Sequence, residues 1–414
     1  MFDRTQDEAP AQGLWSVLQK AQALWAHHDW YRGADLGFRW RSGKAQGEIC
    51  IRIHLRHKRP RDLVLASALL PAELDGIAID VLEASYCPAP LSRQETPSSA
   101  ANPYTLGGLA CCRNAPWAGH GQITLLACCK TSGKPGLLSS WQALAGAKAE
   151  VNDPISRPGK DATGFDPREA IARLSRWQLG PAGEADFAEL NPDHPWLPLQ
   201  EGGLQAIDAV RSAVLGEVLD LRTTSGSRLR ARVDGIGSYR TTYEVQPGRT
   251  GFRDISGVRL VPLAPLTETD HCQGALAETG GAWLTPDGKQ AVGLHFAQGN
   301  VSGQEGSGPN SGGTPCFLAC DLPQVFDSLN LRLANFADLI AQNTPNQTLA
   351  QRTMAELDFN QSPQPAEGPQ EEDKIRPLPG CRPQPRPDTL RSDSGELVQL
   401  QSIAFDQRRQ RPKG

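Results

Sequence analysis

The sequence predicts a mainly β protein, with a small α+β unit ahead of the main domain and a Pro-rich tail behind it. Three observations carry this. Between residue 104 and about residue 320, short apolar runs recur at turn-punctuated spacing with little helical periodicity between them. That is the pattern of a β sandwich or a pair of barrels. Ahead of it, one amphipathic helical stretch is followed by strands. Beyond about Gln342, Pro, Gln, Glu, Ser and Arg dominate, with too little apolar surface to offset the entropy of ordering. The predicted boundaries are residues 1–86 for the α+β module, 87–103 for a Pro/Ser linker, 104–342 for the β domain and 343–414 for a disordered tail. A short apolar island in the tail, Leu397–Phe405, is a candidate docking segment.

In chain order, Leu14, Val17, Leu18, Ala21, Leu24 and Trp25 fall on one helical face. Gly33 is expected to end that helix. A strand, Leu36–Trp40, then turns at Ser42-Gly43 into a second strand, Ile49–Leu55. There Ile49, Ile51, Ile53 and Leu55 alternate with Cys50, Arg52 and His54, the period-2 signature of a half-buried strand. The basic loop His57–Arg61 reads as solvated surface, a short helix is expected near Pro71–Leu74, and a strand over Ile77–Leu82. In the main domain, strands are expected at Ile123–Cys129 and Gly136–Ser139, and a closing helix from Leu322 with Val325, Phe326 and Leu329 on one stripe.

Charge and cysteine usage exclude several classes. A net charge of −4 and a pI near 6.1 supply no basic field of the kind nucleic-acid binding needs. No apolar run approaches a membrane span, and Met1-Phe2-Asp3-Arg4 opens without a secretory pattern, so a cytoplasmic, reduced setting is expected for the 10 cysteines. Cys111-Cys112 and Cys128-Cys129 are adjacent and no Cys-x-x-Cys occurs, so neither metal nor cofactor is expected. The glycine-rich loop Gly306–Gly313 lacks the following Lys-Ser/Thr and helix of a phosphate cradle.

The stretch with most chemistry is Ala277-Glu278-Thr279-Gly280-Gly281-Ala282-Trp283-Leu284, the turn Thr285-Pro286-Asp287-Gly288, and a strand Ala291–Ala297. It reads as a hairpin entered through a glycine elbow and reversed at Pro-Asp-Gly. It resembles the nucleophile region of trypsin-like (chymotrypsin-fold) serine peptidases of bacterial type, which carry Gly-Asp-Ser-Gly-Gly ahead of a strand, a turn and a Gly-Leu-His-Phe-Ala type strand. Three further segments extend the resemblance over roughly residues 104–335. Leu137–Gly146 is similar to the family's Leu-Ser-Asn-x-His-Val-Leu segment, with Gln142 at the histidine position. Ile171–Leu179 followed by Ala185-Asp186-Phe187-Ala188 is similar to its Val-Asp-Ala-Ala segment. Leu215-Gly216-Glu217-Val218 with Arg222-Thr223-Thr224-Ser225-Gly226 is similar to its Gly-Arg-Thr-Thr-Gly segment.

The resemblance implies a double β-barrel with an inter-barrel cleft. It places the triad positions at Gln142, Asp186 and Thr279, the oxyanion positions at Ala277 and Thr279, and the cleft strand at Gly293, Leu294, His295 and Phe296. The substitutions oppose catalysis. A neutral amide accepts no proton at useful pH, so Gln142 is no general base. The extra methyl of threonine restricts χ1 at the nucleophile, and Ala277 replaces a glycine. The implied function is a peptidase homologue that no longer cleaves and holds a protein or extended peptide in the cleft by strand addition. Two alternatives stand beside it: a hydrolase in which Thr279 attacks with His271 or His295 as base, His120 being the remaining nearby candidate, and a pure scaffold.

Overall fold

The computed structural model describes residues 8–41, 44–66, 69–91, 109–111, 120–156, 170–192, 207–222, 228–264, 279–302, 313–335 and 338. The chain divides into two units, Met1–Glu356 and Leu357–Gly414, and every described residue belongs to the first. The tail, most of the linker, residues 306–312 of the glycine-rich loop, His271 and Ala277 lie outside the described residues.

The protein is mainly β. Its first long elements are a helix, α1 (Glu8–Trp25), and strands β1 (Tyr31–Arg41), β2 (Lys44–Leu55), β3 (Glu73–Leu74) and β4 (Ile77–Pro88). Next come β5 (Leu109–Cys111), β6 (His120–Gln122), β7 (Leu125–Cys129), β8 (Pro135–Ser139), the one-turn helix α2 (Trp141–Leu144), β9 (Pro154–Ile155), β10 (Ala172–Gly180) and β11 (Gly183–Leu190). The rest is β12 (Ala209–Val210), β13 (Val218–Arg222), β14 (Arg228–Gln246), β15 (Arg249–Pro262), β16 (Ala282–Leu284), β17 (Gln290–Ser302), β18 (Thr314–Asp321), α3 (Leu322–Ser328) and β19 (Leu331–Leu333).

Six antiparallel strands close a barrel: β13, β14, β15, β18, β17 and β16, with β16 returning to β13. A separate six-stranded sheet runs β19-β7-β8-β11-β10-β9. In it β7, β8, β11, β10 and β9 follow one another as β14, β15, β18, β17 and β16 do in the barrel. Their apolar faces meet in one core. Leu125, Leu138 and Phe187 of the six-stranded sheet pack with Leu294, Phe296 and Leu318 of the barrel, and with Val325 of α3. The closing helix starts where predicted, with Asp321 as N-cap accepting from the Gln324 amide and a proline in its first turn.

The N-terminal strands do not make a module of their own. β14 and β15, 19 and 14 residues long, run on past the barrel. There β14 pairs with β1 from Gly33↔Tyr239 to Gly37↔Gly235. β1 pairs with β2, β2 with β4, and β4 with β17 from Glu83↔Ser302 to Pro88↔Ala297. A second ring thereby closes through β17, β18, β15, β14, β1, β2 and β4. The expected boundary at residue 86 falls inside β4, and Cys87 and Pro88 of the expected linker end that strand. Pro71–Leu74 gives no helix: Glu73 and Leu74 pair with β4 as β3. Helix α1 stops at Trp25 rather than at Gly33, which lies in β1 with φ +151° where a Cβ would stand 2.6 Å from the Ser238 carbonyl oxygen.

The half-buried reading of β2 is corrected for the same reason. Its apolar face packs under α1, where Val17, Leu18 and Ala21 meet Ile51 and Ile53, although Leu24 of the expected stripe is 44% exposed. Its polar face is equally closed: Cys50, Arg52 and His54 are each 0% exposed. The Arg52 guanidinium donates from Nε to Asp35 Oδ1 (2.7 Å), from Nη2 to Asp35 Oδ2 (2.7 Å) and the Asp234 carbonyl (2.7 Å), and from Nη1 to Asp234 Oδ2 (2.8 Å). Arg259 donates to the same Asp234 oxygen, and Tyr239 Oη to Asp35 Oδ2 at 3.0 Å. Tyr86 Oη and His54 Nδ1 stand 2.7 Å apart beside them. Burial pushes the Asp35 pKa up, but Arg52 and His54 outweigh it and hold the carboxyl well below the usual carboxylate range. Arg52 and Asp35 complete their bonding through Asp234 and Tyr239 on β14, which ties these strands to the barrel.

Candidate functional site

The expected triad positions, Gln142, Asp186 and Thr279, lie around α2. The β8 strand delivers Ser139 and Ser140 to its start, and β11 runs beside it through Asp186↔Ser139. Gln142, in the one turn of α2, is half-buried, and its amide N–H donates to Glu184 Oε1 at 2.9 Å. Its side-chain Oε1 has no partner among the described residues. Asp186 Oδ2 accepts from the amides of Leu144 and Ala145, both at 2.9 Å. That carboxyl therefore orients the helix backbone and not a base. Burial pushes both acids well above the ordinary carboxylic range, against the backbone N–H groups that favour the charged forms. Glu184 is raised further by Asp186 next to it.

A carboxyl whose pKa is raised in the folded state keeps its proton there while the unfolded chain has lost it. Stability then falls as pH rises above the unfolded value of about 4.3. Glu184→Gln copies the protonated form and keeps an oxygen for the Gln142 amide. Its unfolding free energy, from urea titrations at pH 5 and pH 8, is expected to decline less between the two than that of the parent. An equal decline in both proteins would show that Glu184 does not carry the effect.

Thr279, just ahead of β16, is 0% exposed. All three of its polar groups are committed within the chain. Its Oγ1 donates to Ser140 Oγ at 2.8 Å, its carbonyl accepts the Gln122 amide at 2.8 Å, and its own amide donates to the Pro90 carbonyl at 3.1 Å. The elbow after it is pinned as tightly. Gly280 N–H donates to the His295 carbonyl (2.8 Å), the Gly280 carbonyl accepts from Thr124 Oγ1 (2.6 Å), and His295 N–H donates to the Gly281 carbonyl (2.8 Å). Gly280 has φ +90°, and a Cβ on it would lie 2.3 Å from the Gln122 carbonyl oxygen.

The structure thus brings Gln142, Asp186 and Thr279 to one helix turn, but among the described residues no hydrogen bond joins their side chains. The partner of the Thr279 hydroxyl is Ser140. Of the alternative bases, His271 lies outside the described residues, as does the ring of His120 at the start of β6. The His295 ring is fully buried, edge-on to Trp283 and Phe317 at centroid distances of 6.2 and 5.7 Å. Ala277, expected as the other oxyanion position, is also outside the described residues.

The cleft strand is not an open edge. Gly293 and Leu294 pair with Trp283 and Ala282 of β16 on one side and with Asp321 and Cys320 of β18 on the other. His295 pairs with Ala319, and the Phe296 carbonyl accepts the Ala89 amide at 2.8 Å. Beyond Phe296 the edge belongs to β4. Strand addition along Gly293–Ala297 therefore meets positions already filled by this chain. Three participants escape a reading of the sequence alone: Ser140, Glu184 and Pro90. Glu184 was detectable in principle, because Glu184 and Asp186 share one face of β11 with the apolar Ala188 and Leu190. Ser140 and Pro90 give no such signal.

No family model matches the chain, and no curated protein sequence does. Among solved structures the chain is similar to a glutamic-acid-specific serine protease that uses a histidine triad in substrate binding, at 14% identity over 56% of this chain and 100% of that one, with a TM-score of 0.34. It is also similar to Thermobifida fusca Protease A, at 14% identity, 56% and 98% coverage and TM-score 0.34. Nocardiopsis Protease stands at 18% identity with the same coverages and a TM-score of 0.34.

Proposed function

We propose that this chain is a serine-peptidase homologue that does not cleave, and that it serves as a protein-binding or regulatory module. One observation carries the reading: every polar group of Thr279 is held by the chain itself, the hydroxyl by Ser140 and the amide by Pro90. A nucleophile needs a base to take its proton and a free amide to receive the oxyanion. Here the base position is a glutamine, and the acid that would orient a histidine instead caps the helix backbone. Loss of one member of such a unit costs on the order of 10⁶ in turnover, and further losses do not add. Binding asks for none of these groups.

The test is treatment of the purified protein with a fluorophosphonate probe and a casein substrate. Neither adduct at Thr279 nor casein cleavage is expected. Stoichiometric labelling abolished by Thr279→Ala would sink the reading in favour of a working hydrolase. Thr279→Ser or Gln142→His alone is expected to leave labelling at background, since each restores one half of a pair that acts together. Robust labelling from either single variant would mean that a base other than residue 142 is in place.

A further inference from the structure

The strand β4 does not stop where its ladder with β17 ends. After the last rung, Pro88↔Ala297, the Ala89 amide adds one more bond to the Phe296 carbonyl, at 2.8 Å. The next carbonyl, that of Pro90, takes the Thr279 amide at 3.1 Å. Leu91 then packs against the core of the six-stranded sheet, beside the cluster that holds Trp141 and Leu144. Three successive residues therefore lead from the barrel, across the amide at the nucleophile position, to the other sheet. Ala89 is 0% exposed, while the Pro90 ring faces outward and its carbonyl inward.

We propose that Ala89-Pro90-Leu91 is a resident plug, an extended segment of the chain's own that closes the peptide site by placing a peptide carbonyl on the Thr279 amide. This deepens the function proposed above and rests on its reading of Thr279 as a peptidase-type nucleophile position. The chemistry of the contact names the ligand class the site accepts: an extended peptide whose carbonyl points at that amide, following a residue small enough to be fully enclosed.

The sequence of the plug suits the task. In Pro88-Ala89-Pro90 two of three residues lack an N–H, so the single donor is that of Ala89, and it is used on Phe296. The proline rings hold φ near −65°, so little backbone freedom remains to be lost when the segment docks. Upstream, the plug is anchored by residues that cannot leave easily: Tyr86, 8% exposed, reaches His54 at 2.7 Å, and the Ser85 carbonyl lies where a Cβ on Gly299 would stand 2.1 Å away. β4 up to Pro88 is thus a fixed part of the ring, and among the described residues Ala89, Pro90 and Leu91 must move to expose the amide.

The experiment is residue-resolved hydrogen exchange on the full chain. In the parent, the Thr279 amide is expected to be protected. In Ala89→Glu, a carboxylate cannot occupy a fully enclosed site without a partner, so the plug leaves. The Thr279 amide is then expected to exchange at least about tenfold faster, as a local opening that leaves the rest of the fold closed. The Gly280 amide, bonded to the His295 carbonyl, is the internal reference and keeps its protection. Leu91→Asp releases the far end of the plug and is expected to give the same pattern. If the amide of residue 89 loses protection while Thr279 keeps it in both variants, something other than Pro90 holds that amide and the proposal is overturned. Retained protection at residue 89 and at Thr279 in both variants overturns it as well, because a plug that a buried charge cannot eject is not a movable element. Fluorophosphonate labelling of the parent decides the non-cleaving function separately, so failure of one idea is distinguishable from failure of the other.

Discussion

Arg52→Met is expected to lower the free energy of unfolding by about 3–5 kcal/mol, the cost of leaving buried partner charges without their counter-ion. The guanidinium makes four hydrogen bonds to Asp35 and Asp234, and both partners are buried at 0% and 1% side-chain exposure. Without it, Asp35 keeps the Tyr239 hydroxyl at 3.0 Å and Arg259 at 3.8 Å, too little to compensate a desolvated carboxylate. Methionine has room for its chain but nothing to donate. Urea titration reads the loss, and a change under about 1 kcal/mol would mean that water or a rearranged Arg259 takes over the carboxylates. The pH dependence has a definite sign. Both carboxyls lie below their ordinary range despite burial, through Arg52, with His54 for Asp35 and Arg259 for Asp234 as well. Their contribution is present above the unfolded value near pH 4 and is lost as pH falls through the folded values. Arg52→Met is therefore expected to flatten acid unfolding as well as to weaken the protein at neutral pH.

Gly280→Ala is expected to cost about 2–5 kcal/mol, from two sources that act together. The backbone there has φ +90°, a conformation that costs an L-residue about 1–2 kcal/mol. The new Cβ would also meet the Gln122 carbonyl oxygen at 2.3 Å and Ser139 Oγ at 2.8 Å, and overpacking of that kind costs about 1–3 kcal/mol. Gln122 cannot retreat freely, because its amide is bonded to the Thr279 carbonyl and its own carbonyl accepts from Ser139. Gly133 supplies the control. It has φ +70° in the β7–β8 turn, with nothing within 4 Å of its would-be Cβ, so Gly133→Ala should show the backbone term alone. Thermal unfolding of the two variants separates strain from contact. Equal shifts would show that the elbow at Gly280 is not as closely held as its distances imply.

Several elements were legible from residue pattern alone. The helix over Val17, Leu18 and Ala21, the hairpin around Thr285–Gly288 and the closing helix at Leu322 each carry a local signal, and each stands in the structure. β7 and β8 were likewise marked by apolar runs on either side of the Thr131-Ser132-Gly133-Lys134 turn. The two-face burial of β2 was not legible. Alternation of isoleucine with Cys50, Arg52 and His54 has one meaning when the second face meets water and another when it meets opposite charge, and the sequence of β2 is the same in both cases. The domain boundary failed with it, since Arg52 finds Asp234 from 182 residues away.

The site divides the same way. That residue 142 cannot be a base follows from its being glutamine, whatever surrounds it, because side-chain chemistry is local. That residue 279 retains a hydroxyl is equally a matter of the sequence. Whether that hydroxyl and its amide are available is a question about neighbours, and the neighbours, Ser140 and Pro90, lie 139 and 189 residues away along the chain. A hydrogen bond is fixed by distance and direction between groups that only folding brings together. The sequence by itself determined that residue 142 is no general base and that residue 279 keeps a hydroxyl, and the tertiary structure decided that Ser140 and Pro90 take up that hydroxyl and its amide.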